Sequence, residues 1–578
     1  MVMHLMITYL KRYKLLFFIN VISVFGFALV ELGIPTIVAQ MIDQGVAKQD
    51  TAFLYQMGAW IVCISVIGVA GTILLGYCCA KISTSITRDI RNDIFKKVQS
   101  FSHQEINTFG VSSLITRTNN DAFQIQMFIN VLLRTALLTP VMAILSMIMT
   151  IRASLPLSLV IGSTIPFIII GVYLVAKFSE PISEKQQESM DALNRISREN
   201  LTGVRVIRAF HNDAYEAKRF DKTNQSFMQY SKKLFKLMMI TQPLFFFLMN
   251  LAAMAIYWIA AGLINDGSLQ VGALIAFNEY LFHAMFSMML FCTVFMMYPR
   301  AQVSAKRIEA VLNSESSIQQ ASQAVTSDVI SKISFEHVTF AYPDGEEPVL
   351  KDINFQVKKG ETIAFIGSTG SGKSTLINLI PRFYDASAGD IYINDTNIKD
   401  IDIAWLRDQI GFISQKANLF TGTIKENICF GKQDADEEEI IHAAKTAQAY
   451  AFIMEKEQGF EEMLSEGASN LSGGQKQRLS IARALVKRPQ VYVFDDSFSA
   501  LDFKTDAMLR KALKQETTQA ITMVVAQRIS SIMDADQIIV LHEGNIVGKG
   551  THKELLKNCT IYYEIATSQL SEEELSYE

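Results

Sequence analysis

Apolar positions are spread unevenly along the chain. The first half carries long apolar runs separated by long polar stretches, and the second half does not. Six runs, at about 15–42, 53–80, 131–151, 155–176, 243–264 and 271–298, reach the roughly 20 residues a helix needs to cross a bilayer. The polar stretches after the second and fourth runs are long and basic; the second of them holds Arg195, Arg198, Arg205, Arg208, Lys232 and Lys233. The connections after the first, third and fifth runs carry only Lys48, then Arg152, then no basic residue. The positive-inside rule therefore predicts a multi-pass protein of the cell membrane with both termini and both long loops in the cytoplasm. Residues 179–239 keep helical spacing, as in Ala192, Ile196, Leu201 and Val204. Helices that leave the membrane and continue into the cytoplasm explain this. Breaks at 100–110 and 202–213 predict short elements that touch a soluble domain. The run after Lys11-Arg12-Tyr13-Lys14 is too long for a removable signal peptide.

Past residue 312 the pattern changes. Residues 313–331 are rich in Ser, Gln and Ala without an apolar period and read as a linker. Ile333, Phe335, Val338 and Phe340 then begin β-type patterning, ending in a turn at Tyr342-Pro343-Asp344-Gly345. The apolar run 362–366 leads into Gly367-Ser368-Thr369-Gly370-Ser371-Gly372-Lys373-Ser374, followed by a helical pattern. This strand, loop and helix match the phosphate-loop motif at every fixed position. Glycines let backbone N–H groups cradle phosphate oxygens, Lys373 reaches the terminal phosphates, and the Ser374 hydroxyl suits Mg²⁺. A second apolar strand, Val491-Tyr492-Val493-Phe494, leads into Asp495-Asp496, and an acid at its end can hold Mg²⁺ opposite that loop. Between them, Leu471-Ser472-Gly473-Gly474-Gln475 offers N–H groups, a serine and a helix N-terminus, which together suit a phosphate.

Composition sharpens this division. Half of the residues are hydrophobic, and the mean hydropathy of +0.22 is high for a soluble protein. The net charge of −4 points to no nucleic-acid partner. None of the 6 cysteines stands at metal-ligand spacing. Inside the apolar runs stand Glu31, Asn278, Glu279 and His283, and an ionisable group at membrane depth suggests function. Glu279 and His283 are four apart and share a helix face. These residues either serve the substrate, or line a wet cavity or pair across helices without touching it. The Met- and Phe-rich sixth run, from Phe277 to Met297, either adapts to apolar ligands or faces lipid.

The motifs occur together and in order, and the chain resembles an ABC transporter half-subunit of the exporter type over essentially its whole length. The fold this implies is an all-α, six-helix transmembrane domain (1–312) with long cytoplasmic helix extensions, fused through 313–331 to an α/β P-loop nucleotide-binding domain (332–578). By resemblance Tyr342 stacks on adenine, residues 367–374 with Thr375 are Walker A, and Gln415 contacts Mg²⁺. Asp495 is the Walker B aspartate, and Ser499-Ala500-Leu501-Asp502 form the D-loop. In this family two such domains dimerise head to tail. Leu471–Gln475 would therefore cap ATP held by the partner chain. The cofactors implied are ATP and Mg²⁺.

Three departures from the family pattern follow. Asp496 stands where the family has a glutamate that positions water, which withdraws the carboxylate by about 1.5 Å. Gln527 replaces a histidine that touches the γ-phosphate and can neither carry charge nor shuttle a proton. Ser465-Glu466-Gly467-Ala468 replaces the usual Gly-Glu-Arg-Gly. The pattern resembles the degenerate-site chain of heterodimeric multidrug exporters. It implies a second, non-identical ABC half-transporter as partner, an amphipathic small-molecule substrate, and slow turnover of the ATP on Lys373. Lipid or peptide export by the same architecture, or an ATP-binding regulatory subunit that does not pump, are the competing expectations.

Overall fold

The computed structural model describes residues 2–343 and 345–570, with side chains except those at 168, 169, 172, 176, 241, 242, 288, 292, 295 and 296. Asp344 of the expected turn, the side chain of Cys292, and those of Met288, Phe295 and Met296 in the sixth run lie outside the described set. Contacts divide the chain into two units: Met1–Gln99 with Ser112–Ser314, and Ser100–Val111 with Glu315–Glu578.

The first unit is helical. Helix α1 (Val2–Leu10) buries Val2, Leu5, Met6 and Tyr9, a single face at helical spacing. Sequence reading passed over this helix, although its i, i+3, i+4, i+7 pattern is plain. Helix α2 (Lys14–Gln40) follows and passes through a π-helical turn, Met41–Val46. Helix α3 (Thr51–Gln99) has 49 residues, about 70 Å at 1.5 Å per residue, far more than a bilayer core needs. Helices α2 and α3 approach closely where Gly26 and Gly71 meet: a Cβ on Gly71 would sit 3.4 Å from the Gly26 backbone. After the short helix α4 (His103–Phe109), the chain runs through α5 (Val111–Thr116), α6 (Ala122–Val131) and α7 (Leu137–Ala153), joined by π-helical turns. Helix α8 (Leu155–Ala209) and helix α9 (Asp213–Asn265) pair lengthwise. Helix α10 (Val271–Leu312) packs on α2 and α7 and ends just before the Ser/Gln-rich stretch.

Among the described residues five helical runs are long and apolar enough to cross a membrane: Val2–Val46, Thr51–Gln99, Val111–Ala153, Asp213–Asn265 and Val271–Phe291. Five of the six expected runs are thus matched among the described residues, and the count of six is not confirmed. The expected run 155–176 begins α8, where the described apolar stretch is Leu155–Phe167, too short alone to span; four side chains just beyond it are not described.

The second unit is α/β. One antiparallel sheet, ordered β2-β1-β4-β5, is built from β1 (Lys332–Phe340), β2 (Leu350–Lys358), β4 (Ala388–Ile393) and β5 (Thr396–Asn397). The main sheet comprises β3 (Thr362–Gly367), β6 (Ile410–Ile413), β9 (Val491–Asp495), β10 (Ile521–Val525), β11 (Gln537–His542) and β12 (Asn545–Gly550). Its order is β12-β11-β3-β10-β9-β6, parallel apart from β12. Short β7 (Gly422–Thr423) and β8 (Met463–Leu464) pair separately. Strand β3 shows why its residues are apolar throughout. Ile363 and Phe365 pack toward the antiparallel sheet, while Ala364 and Ile366 enter the helical layer, so both faces are buried. The carboxyl ends of β3, β10 and β9 open side by side, where ligands of such sheets bind.

Residues 100–111 belong to this second unit, although their chain neighbours belong to the first. Ser102 and Glu105 form a capping box that starts α4. Glu105 also accepts the Ser317 N–H at 3.0 Å. The His103 ring lies 4.5 Å from that of Phe383.

Candidate functional site

The loop after β3 curls through left-handed glycines. Gly372, at φ 95°, immediately precedes helix α11 (Lys373–Asn378), and a Cβ there would come within 2.7 Å of Leu350 and 3.0 Å of the Val349 carbonyl. Lys373 turns back over the loop, donating to the carbonyls of Gly367 and Ser368, each at 2.8 Å. Burial pushes its ammonium below the usual lysine range, and the charges of Asp496 and Asp495 partly offset that. The Ser374 hydroxyl donates to Asp495 Oδ1 at 2.9 Å. A hydroxyl and a carboxylate side by side are the oxygen donors Mg²⁺ prefers, so the residues present fit that ion.

Asp496 follows β9 in the left-handed region, at φ 47°, which turns its side chain out of the strand's alternation and back toward the loop. Its Oδ2 accepts two amide donors: Gln527 Nε2 at 2.7 Å and Gln415 Nε2 at 3.1 Å. Burial raises the Asp496 carboxyl, and bonds from Gln415 and Ser499 and the charge of Lys373 counter it. Burial likewise raises Asp495. Lys373, Ser374, Gln415, Asp495, Asp496 and Gln527 thus line one cavity of about 280 Å³, together with Thr369, Gly370, Gly372 and Thr375. Val349 and Val525 complete it. Sequence reading missed these two, since one more valine at a strand end carries no signal. Tyr342 stands beside this cavity, its hydroxyl 3.0 Å from Thr375 Oγ1 and its ring edge-on to Tyr384 at 5.4 Å.

The signature lies apart from that cavity. Ser472 caps helix α12 (Gly473–Val486), its Oγ accepting from Gln475 N at 3.3 Å and its own N–H donating to Gln475 Oε1 at 3.0 Å. Leu471 is buried behind it. Ser472, Gly473 and Gly474 line a second, open concavity with Ala500, Leu501 and Asp502. Ser499 begins that loop and ties it to the first site, its hydroxyl donating to the Asp496 carbonyl at 3.0 Å. Among the described residues, the Lys373 cavity and the Ser472 concavity thus have no lining residue in common.

Two family models match this arrangement: the ABC transporter transmembrane region over 17–289, and the ABC transporter domain over 350–499. An uncharacterized ABC transporter ATP-binding protein of Bacillus subtilis, YfiB, is 38% identical over 568 residues, covering 98% of each chain. The chain belongs to the ABC transporter family. It is an ABC exporter, with a transmembrane and an ATP-binding domain fused in one chain, and its ATPase is coupled to transport. An ABC transporter ATP-binding protein of Mycobacterium tuberculosis is 35% identical over 94% of both chains. A Staphylococcus aureus protein named "Putative multidrug export ATP-binding/permease protein" is 33% identical over 84% of both. The exporter also shares its fold with a solved bacterial Atm1-family ABC exporter with ATP bound, at a TM-score of 0.82 and 22% identity, covering 97% and 99% of the two chains.

In the membrane unit of this exporter, His283 Nε2 on α10 meets Glu31 Oε2 on α2 at 3.3 Å. Glu279, one turn before His283, is exposed. The pairing therefore runs between helices, and spacing along one helix could not reveal it. Beside it the Tyr280 and Thr36 hydroxyls lie 2.6 Å apart.

Proposed function

We propose that the exporter moves amphipathic small molecules as one half of a two-chain complex, and that its own phosphate loop holds a slowly hydrolysed ATP. The observation that carries this is the Asp496 carboxylate. Oxygen Oδ2 is taken by Gln527 and Gln415 together, on a side chain one methylene shorter than the family's glutamate. Two amide donors satisfy that oxygen and leave it a poor acceptor for a water proton. In this reading residues 367–375 grip the phosphates and Tyr342 stacks on adenine. Ser374, Asp495 and Gln415 would hold Mg²⁺, which when bound would supply positive charge to the phosphates. Gln527 reaches the γ-phosphate as a neutral donor. Ser472, Gly473 and Gly474 cap the partner's ATP, where the fast reaction takes place. Glu31, His283 and Glu279 belong to the substrate path. Multidrug-type cargo rests on the adaptable Met and Phe surface of α10 and on the name of the Staphylococcus relative. The domains divide as 1–312, 313–331 and 332–578, with the ATP-binding domain and both termini in the cytoplasm.

The test is reversion. Asp496→Glu with Gln527→His should raise single-turnover hydrolysis of the ATP bound by this chain by about a hundredfold, the scale of a one-ångström misplacement. Unchanged turnover in the double variant would show that these two residues do not limit the site.

A further inference from the structure

The loop that carries Gln527 is held from outside the ATP cavity, by a residue near the end of the described chain. Helix α14 (Thr560–Thr567) is followed by a turn that presents Gln569. Its side-chain Nε2 donates to the Gln527 carbonyl at 2.8 Å, and its Oε1 accepts the Ile529 N–H at 2.8 Å. One amide thus engages the backbone of residues 527 and 529 as a neighbouring strand would. The same loop is gripped from the side of helix α13 (Phe503–Glu516), which follows the D-loop. Arg510 Nη1 donates to the Ser530 carbonyl at 2.6 Å, and the Arg528 guanidinium lies over the Phe503 ring at 5.1 Å. Gln527 therefore points at Asp496 from a backbone fixed on both flanks. Hydrogen-bond contact with a carboxylate or phosphate tolerates only a few tenths of an ångström, so the register of this loop controls what the Gln527 amide can reach.

We propose that Gln569 is a positioning residue for the ATP site: it sets the register of residues 527–529 and so aims the Gln527 amide at the γ-phosphate. This rests on the reading that Gln527 is the γ-phosphate donor, and the experiment separates the two claims. ATP and ADP would each compete with a photoreactive azido-ATP for labelling of this chain in the full-length exporter in lipid nanodiscs.

Gln569→Ala is expected to weaken ATP by about three- to tenfold, the loss of one or two neutral hydrogen bonds, and to leave ADP within about twofold. Gln569→Glu keeps the acceptor for Ile529 but loses the donor to the Gln527 carbonyl, and should weaken ATP at least as much. In a Gln527→Ala background, Gln569→Ala should cost nothing further. Equal weakening of ATP and ADP, unchanged ATP binding, or losses that multiply in the double variant would each overturn the proposal. If Gln527→Ala alone leaves the preference for ATP over ADP intact, the reading of Gln527 falls, and the proposal with it. If Gln527→Ala lowers that preference and Gln569→Ala does not, only the role of Gln569 falls.

Discussion

Asp496 is held between opposing influences. Its carboxylate is turned inward by a left-handed backbone and raised by burial, against bonds from Gln415 and Ser499 that favour the charged form. The sign of the consequence follows by linkage. A carboxyl whose folded pKa lies above its unfolded value of about 3.9 costs the folded state stability once it ionises. The full cost is present above the folded pKa and vanishes below the unfolded one. Asp496→Asn removes the charge without changing shape. In nucleotide-free protein it should therefore raise the melting midpoint of the ATP-binding domain at pH 7 by about 1–3 °C, and the gain should shrink as the pH falls toward 4. Calorimetry across pH reads this directly, and a gain that grows with acid would contradict the burial argument.

At the scale of elements, Ser472 caps helix α12 and lines the open concavity, where its proposed contact with the partner's ATP would lie. Ser472→Asp separates the two roles. Aspartate caps as well as serine, so thermal stability should hold, whereas its charge opposes a phosphate and ATPase activity should drop by more than about tenfold. If melting falls along with activity, the capping role dominates. Motif-bearing elements such as β3, β9 and α12 were legible because their chemistry is local: a fixed spacing makes the turn and aims the groups. The pairing of Glu31 with His283 was not legible, since α2 and α10 lie some 250 positions apart in the sequence and meet only through tertiary packing. Gln569 gave no signal either, because a glutamine near a chain end is ordinarily a solvated residue. The apolar pattern marked α8 and α9 as helices but could not show that they pair lengthwise.

For the whole molecule, the separation of the nucleotide cavity from the signature face matters most. On the proposed reading, in which Lys373 grips one ATP and Ser472 caps another, a second chain would complete each site. Purification of the tagged exporter from its native membrane should recover a non-identical ABC chain in equal amount. Native mass spectrometry would show this, and a complex of two identical 64.8 kDa chains would refute the reading of a non-identical partner.

Helix α4 also has a consequence for synthesis. It is made early, in the middle of the membrane half, yet its aromatic seat at Phe383 lies about 280 residues downstream of His103. At about 5–20 residues per second, α4 waits roughly 15 to 55 s for that seat to emerge from the ribosome. Its capping box is built from Ser102 and Glu105, three residues apart, and can form during that wait without help from later chain. The helix thus begins on local chemistry and is finished by distant chain.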